Sequence, residues 1–174
     1  MKRAQDWNGD LRAFLADYSY QRELTAKLDG LGGSPFDQVL INEIVLWKVN
    51  RYALLQPTVL DALNKLAKAK PKSHRHAQHE LAQLLSQSGV DLPMASTLLR
   101  FRNPHTFQII DRHAYRAVTG DDYPLYSASG VQKKIDVYFR YLDDLFDLAE
   151  KKDVPFHHLD RILYVFDKHQ NGKL

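Results

Sequence analysis

Two carboxylates stand in surroundings that would give them different chemistry. Asp111 ends the apolar run Phe107–Ile110 and opens a predicted helix over His113–Val118. An aspartate at such a position can cap the helix or act chemically at its positive end, where it stays ionised. Glu43 lies inside the apolar stretch that follows Pro35. A carboxylate there either faces a cleft or pairs with a cation, and burial favours its protonated form.

The elements that must position these residues are helical. Apolar residues recur at helical spacing through most of the chain, and no stretch alternates as a strand does. The predicted fold class is therefore all-α, with helices over Asp6–Leu28, Pro35–Leu55, Pro57–Ala69, His76–Gln87, Leu92–Phe101, His113–Val118, Val131–Lys151 and Pro155–Asp167.

Two of these helices carry specific expectations. Asp10 is the predicted N-cap of the first helix, and Ser34 starts the second with Pro35 just inside it. Apolar side chains surround most of the second helix, which is typical of a helix at the centre of a domain. The apolar residues at helical spacing are Leu11, Phe14, Leu15 and Tyr18 in the first helix, and Val39, Leu40, Ile41, Ile44, Val45, Leu46, Trp47 and Val49 in the second.

Composition excludes some classes of protein. With 174 residues the chain fits one domain, or two lobes in which 35–120 forms a core while 1–34 and 121–174 pack as the second lobe. A formal charge of +3 allows a nucleic-acid partner without demanding one. The absence of cysteine excludes disulfides, iron–sulfur clusters and thiolate zinc sites. Neither a signal-peptide core nor a membrane-spanning run is found, so a cytoplasmic protein without a membrane partner is expected.

Two separated stretches resemble the helix-hairpin-helix DNA glycosylase superfamily, which includes endonuclease III and the adenine-removing mismatch glycosylase. The first stretch is GVDLPMASTLL with IIDRHAYR after it, and its matching residues are Gly89, Val90, Ala95, Asp111, His113 and Arg116. The second is VLINEIVLWK, where Glu43 matches the general-acid glutamate of adenine-removing members. The resemblance covers about Phe36–Val118 and implies a glycosylase-like helical bundle.

This resemblance implies excision of a damaged or mispaired base from double-stranded DNA. Asp111 would stabilise positive charge on the sugar or help water attack, and Glu43 would protonate the departing base. The Schiff-base lysine of bifunctional members would fall near Pro93 and is missing. A monofunctional DNA N-glycosylase without a cofactor is therefore expected. Trp47, one turn past Glu43, is a wedge against the base stack, a stacking platform or part of the core.

DNA contacts are predicted at two sets of residues. The motif supplies Gly89, Val90, His113 and Arg116, and a basic stretch supplies Lys65, Lys68, Lys72 and Arg75. Asp91 replaces a glycine of the family's hairpin. We expect its carboxylate to cap the next helix through the Met94 amide and to repel phosphate. The basic stretch would then bind phosphates instead, unless it is a solvated linker.

Other interpretations stay open. Asp111 could serve only as a helix cap, and Glu43 could simply pair with a buried cation. The chain could then be a non-catalytic protein of the same fold that binds DNA or another macromolecule, or an all-α interaction domain with no nucleic-acid role. The clustered His74, His76 and His79 lack a recognised ligand spacing, so no metal site is expected. In the enzyme interpretation, Asp111 and Glu43 share one solvent-reachable cleft.

Overall fold

The structure is a computed structural model that describes residues 10, 13, 15–32, 35–49 and 53–172. These residues form eight α-helices and no strands, which confirms the predicted all-α class. The glycosylase-like bundle stays a prediction, as do the single-domain and two-lobed arrangements. The chain divides into two compact units, Met1–Tyr52 (unit 1) and Ala53–Leu174 (unit 2). None of the described helices is both long and apolar enough to span a bilayer.

Unit 1 is built on two packed helices, α1 (Arg22–Asp29) and α2 (Gln38–Lys48). The Tyr20 hydroxyl donates to the Trp47 carbonyl at 2.7 Å, and the Trp47 indole N–H donates to the Thr25 hydroxyl at 2.8 Å. The Tyr20 and Trp47 rings also meet edge to face, with 5.3 Å between their centroids. Trp47 therefore ties the end of α2 to the start of α1.

The prediction of one helix over Asp6–Leu28 is wrong in its described part. Residues 16–21 form turns and irregular chain, so Asp10 does not cap a helix that continues to Leu28. Gln21 has a left-handed φ of 39°, and α1 begins only after it. Of the predicted apolar face, Leu15 and Tyr18 are exposed, whereas Leu11 and Phe14 lie outside the described residues.

The second helix is shorter and more exposed than predicted. Its cap is Asp37, whose carboxylate accepts from the Leu40 N–H at 2.8 Å, while Ser34 lies outside the described residues. Leu40 is the one buried residue of α2, so its expected place at the centre of a domain is wrong. Within the described part of unit 1, α2 packs against α1, and a single partner helix covers only one face. The exposed apolar side chains are Val39, Ile41, Val45, Leu46 and Val49.

Unit 2 contains the other six described helices. They are α3 (Pro57–Lys65), α4 (Gln78–Leu85), α5 (Leu92–Arg102), α6 (Arg112–Thr119), α7 (Val131–Lys152) and α8 (Leu159–Gln170). Short 3₁₀ turns follow α3 and precede α4 and α8, at Leu66–Lys68, His74–Ala77 and Phe156–His158. These bounds lie close to the predicted ones because strong local signals mark them. Pro57 starts α3, and Gly120 ends α6 with a left-handed φ of 80°.

The core of unit 2 is assembled around α7. Ile135, Tyr138, Leu142 and Leu145 recur at helical spacing along it and are almost completely buried. The side chains from other elements that complete this core include Leu81, Leu84, Leu92, Leu99, Phe107, Ile110 and Leu159.

An irregular segment, residues 107–110, crosses this core on its way to α6. No strand pairs with it in the described chain, so side chains must satisfy its buried carbonyls. The Tyr138 hydroxyl donates to the Gln108 carbonyl, and the Tyr141 hydroxyl donates to the Ile109 carbonyl, each at 2.9 Å. Burial raises the pKa of both phenols well above its usual value, so both remain donors at neutral pH.

Two buried polar side chains, one in α5 and one at its C-terminus, anchor the chain between α5 and α6. The Ser96 hydroxyl accepts from the Ile110 N–H at 3.2 Å. Asn103, the residue that ends α5, donates to the carbonyls of Leu66 at 3.0 Å and Ala69 at 2.8 Å. The chain between α5 and α6 is therefore fixed by specific hydrogen bonds, although it has no regular structure.

Two buried aspartates of α8 bind the helices on either side of it. Asp160 accepts from Arg100 Nε of α5 at 3.0 Å. Asp167, which is fully buried, accepts from Arg116 Nε and Nη2 of α6 at 2.9 and 2.7 Å, and lies 2.7 Å from His113 Nδ1. The Arg116 guanidinium holds the pKa of Asp167 well below its usual range. Because the two aspartates are seven residues apart, they lie on one face of α8 and hold α5 and α6 in place together.

We predict that Asp160→Asn lowers the free energy of unfolding by about 3 kcal/mol, because Arg100 then stays buried without a counter-charge. The amide oxygen can still accept from the Arg161 N–H, so the helix start is preserved. Urea denaturation measures the change. The exposed Asp147→Asn on α7 is the matched control and should change the free energy by no more than about 0.5 kcal/mol.

A double variant tests the same ion pair by removing both partners instead of one. Arg100→Met with Asp160→Leu removes both charges and fills their volume with apolar atoms, so it should be more stable than Asp160→Asn alone. Equal losses in Asp160→Asn and Asp147→Asn would show that the buried pair does not hold α8 to α5.

Candidate functional site

Asp111 lines two surface clefts of unit 2, a larger one of about 560 Å³ and a smaller one of about 240 Å³. It is the N-cap of α6, and its Oδ1 accepts from the Ala114 N–H at 2.7 Å. The predicted capping role is therefore present in the structure. Oδ2 makes no hydrogen bond or ion pair with any described residue, and the side chain is partly exposed. One carboxylate oxygen is fixed by the backbone, and the other is available to a ligand.

The larger cleft is formed by the first turns of α5 and α6 and by the loop between α6 and α7. The lining residues are Asp91, Pro93, Asp111, Arg112, Tyr123, Leu125, Tyr126, Ser127 and Ala128. Burial raises the pKa of Tyr123 to about 12, and the Asp91 carboxylate adds to this shift. The Tyr123 phenol is therefore a neutral hydrogen-bond donor at physiological pH.

Asp91 is paired inside the larger cleft. Its Oδ1 accepts from the Leu92 N–H at 2.7 Å and lies 2.7 Å from Lys134 Nζ. Lys134 is buried and also donates to the Ser127 carbonyl at 2.9 Å. The predicted Met94 donor is wrong, because the Leu92 amide and the Lys134 ammonium engage the same carboxylate oxygen. Lys134 also offsets the negative charge that was expected to repel phosphate.

The smaller cleft lies between α5 and α8 and shares Asp111 with the larger one. The lining residues are Arg100, Phe101, Ile109, Asp111, Asp160, Arg161, Tyr164 and Val165. Phe101 is 68% exposed and Tyr164 is 39% exposed, so both present aromatic surface to solvent. The Arg161 guanidinium makes no ion pair with any described residue. The cleft thus combines apolar walls with a charged group, which suits a small planar ligand.

The remaining motif residues have mostly structural contacts. Gly89 forms the bend before α5 with a left-handed φ of 77°, a conformation that favours glycine. Val90 is buried in the core. His113 and Arg116 both hold Asp167. Contact of these four residues with DNA stays a prediction.

Half of the basic-stretch residues predicted to contact DNA form ion pairs within unit 2. Lys72 binds Glu150, and Arg75 binds Asp143, both acids of α7. The other two basic residues, Lys65 and Lys68, are exposed and make no ion pair within the described chain. Surface ion pairs are weak, so these four residues could still meet phosphate, and that role stays a prediction.

His74 is the buried member of the three clustered histidines, whereas His76 and His79 are exposed. Its Nε2 lies 3.0 Å from an Asp143 carboxylate oxygen, and its ring stacks against Phe146 with 5.8 Å between centroids. Burial lowers its pKa, and this effect outweighs the opposing influence of Asp143. No group of three or more potential metal ligands is found among the described residues.

Glu43 and Trp47, the remaining predicted site residues, belong to unit 1. The Glu43 carboxylate pairs with Lys27 Nζ at 2.5 Å, and Trp47 joins α1 to α2. Both oxygens of Glu43 accept from the same ammonium, so neither is presented as a protonated donor. A cleft shared by Glu43 and Asp111 stays a prediction.

Several side chains around Asp111 were missed by the sequence reasoning. Asp160 and Asp167 could have been found, because they stand seven residues apart on the apolar face of an amphipathic helix, where an acid needs a partner. Arg112 and Arg161 are ordinary surface cations in sequence. Tyr123 lies in a polar loop and gives no signal, since only the tertiary structure brings it beside α6.

Comparison with known proteins assigns no family or function to this chain. No protein-family model, no curated protein and no solved structure matches this chain. The geometry around Asp111 is therefore the basis for a function.

We predict that the protein loses stability as the pH falls through about 6.5 and below, in part because His74 is buried in its neutral form. Its pKa is lower in the folded chain than in the unfolded chain. The unfolded chain therefore binds the proton first, and acidification favours unfolding. The facing charged groups are Asp143 and Arg75, which oppose and reinforce the shift respectively.

The measurement is the free energy of unfolding in urea as a function of pH, compared with His74→Gln. The other seven of the eight histidines are common to both proteins, so the difference in slope reports His74. A variant with the same slope as the wild type would contradict the prediction.

Proposed function

We propose that the protein hydrolyses N-glycosidic bonds in nucleic acid, releasing a base and leaving an abasic site, with Asp111 as the catalytic carboxylate. The observation that supports this function best is the position of Asp111. Its Oδ1 is fixed at the N-terminus of α6, while Oδ2 makes no hydrogen bond within the described chain and the side chain lines two clefts. A nucleotide has two parts to accommodate, the base and the sugar-phosphate, and two adjacent clefts provide for both.

The smaller cleft suits the base. Phe101, Ile109 and Tyr164 supply apolar and aromatic surface on which an unstacked base can lie. Arg161 is free within the described chain to donate to an acceptor atom on the base. It would stabilise the negative charge that the base gains as it leaves.

Asp111 would act on the sugar. In the transition state the C1′–N bond is nearly broken and positive charge develops on the sugar, where a carboxylate stabilises it. A water molecule forms the new bond to C1′, and the electron pair of the broken bond leaves with the base. Asp111 accepts the proton from the water and passes it to solvent.

Glu43 remains the proposed proton donor to the leaving base. Its pairing with Lys27 means that this step requires the ion pair to open and the Glu43 carboxylate to take up a proton from solvent, which it then gives to the base. If the base leaves as an anion held by Arg161, the reaction proceeds without Glu43. The resemblance to helix-hairpin-helix glycosylases agrees with a bend at Gly89 between α4 and α5 and with an aspartate at the head of the next helix. These features support membership of that superfamily as a proposal.

The test uses a panel of synthetic single strands and duplexes that each contain one modified base. Heat and alkali then cleave the abasic sites. Asp111→Asn should lower the rate of abasic-site formation on the order of 100-fold or more, because removing a positioned general base costs at least that much. The asparagine side chain can still accept from the Ala114 N–H, so α6 keeps its cap.

The matched control is Asp121→Asn, an exposed residue that follows α6 but does not line either cleft. It should retain the wild-type rate. Failure of the wild-type protein to cleave any member of the panel would leave binding without catalysis as the better explanation. Equal rates for wild type and Asp111→Asn would remove Asp111 from the chemistry.

A further inference from the structure

Arg112 and Tyr123 form an unpaired donor set in the larger cleft. Both residues line it, and neither side chain makes a hydrogen bond or ion pair with any described residue. The two side chains also interact electrostatically, since the Arg112 guanidinium opposes the rise in the Tyr123 pKa that burial causes. A guanidinium and a neutral phenol together offer charge and directed N–H and O–H donors, which is the combination that a phosphate oxygen binds.

The acids of this cleft do not cancel that donor set. Asp91 is paired with Lys134 and with the Leu92 amide. Asp111 has one oxygen bound to the Ala114 N–H and lies where the two clefts meet. An anion bound by Arg112 and Tyr123 would therefore meet one unpaired carboxylate oxygen, the same one that the proposed chemistry uses.

We propose that the larger cleft binds the phosphodiester next to the target nucleotide, with Arg112 and Tyr123 as its ligands. This inference rests on the proposed function, because it takes the ligand to be a nucleic acid. It places the phosphate contact at the head of α6 and not on the basic stretch, of which two residues, Lys72 and Arg75, already bind acids of α7. Phosphate binding in the larger cleft would direct the base into the smaller cleft, which shares Asp111 with it.

The test is the salt dependence of binding to a short fluorescein-labelled single strand, followed by anisotropy. Each phosphate contact contributes about 0.7 to the slope of log K against log salt concentration for a single strand. Arg112→Gln should lower the slope by about that amount, whereas Arg112→Lys should retain it because it keeps the charge. Tyr123→Phe should weaken binding about fivefold without changing the slope, since the phenol is neutral.

Single Gln variants of the four basic-stretch residues, Lys65, Lys68, Lys72 and Arg75, are the comparison variants and should leave the slope unchanged. If they lower it while Arg112→Gln does not, the phosphate contact lies on the basic stretch and the inference is overturned. An unchanged slope in Arg112→Gln, in a protein that excises a base, overturns the inference and leaves the proposed function standing. A reduced slope in Arg112→Gln, in a protein that excises no base, supports the phosphate contact and overturns the proposed function. No binding of nucleic acid by the wild type overturns both.

Discussion

Two buried carboxylates on one face of α8 set the geometry on which the candidate site depends. Asp160 holds Arg100 of α5, and Asp167 holds Arg116 and His113 of α6. An unpaired charge in these positions would cost several kcal/mol, so the pairs strongly restrict where α5 and α6 can lie. Asp111 stands at the start of α6, and the two clefts that it lines contain residues of these same helices. The ion pairs of α8 thereby position a carboxylate that they do not touch.

The chain that leads to Asp111 shows a second constraint. Residues 107–110 cross the core without a strand partner, and phenols from α7 satisfy their carbonyls. Each of these hydrogen bonds would be costly to lose inside the core. The segment therefore has one arrangement, and Asp111 begins α6 at a defined place. Precise placement of this kind is what a catalytic carboxylate needs, because small displacements reduce rates severely.

Much of unit 2 could be predicted from local signals, whereas unit 1 could not. Pro57, Gly120 and the capping aspartates Asp91 and Asp111 mark helix ends through backbone geometry that does not depend on the rest of the fold. The apolar character of α2 led to the wrong prediction that it lies at the centre of a domain. The hydrophobic content of a helix does not determine how many other elements are present to cover it. Pairings such as Asp91 with Lys134, or Lys72 with Glu150, join residues far apart in sequence and depend on tertiary structure alone.

The most direct measurement of the role of Asp111 compares two abasic analogues placed in the same oligonucleotide, a cationic pyrrolidine and a neutral tetrahydrofuran. A carboxylate that stabilises positive charge on the sugar should bind the cationic analogue at least tenfold more tightly, since it resembles the transition state. Asp111→Asn should remove this preference while leaving affinity for the neutral analogue nearly unchanged. Equal affinities of the wild-type protein for both analogues would contradict a catalytic Asp111 and leave it as the cap of α6.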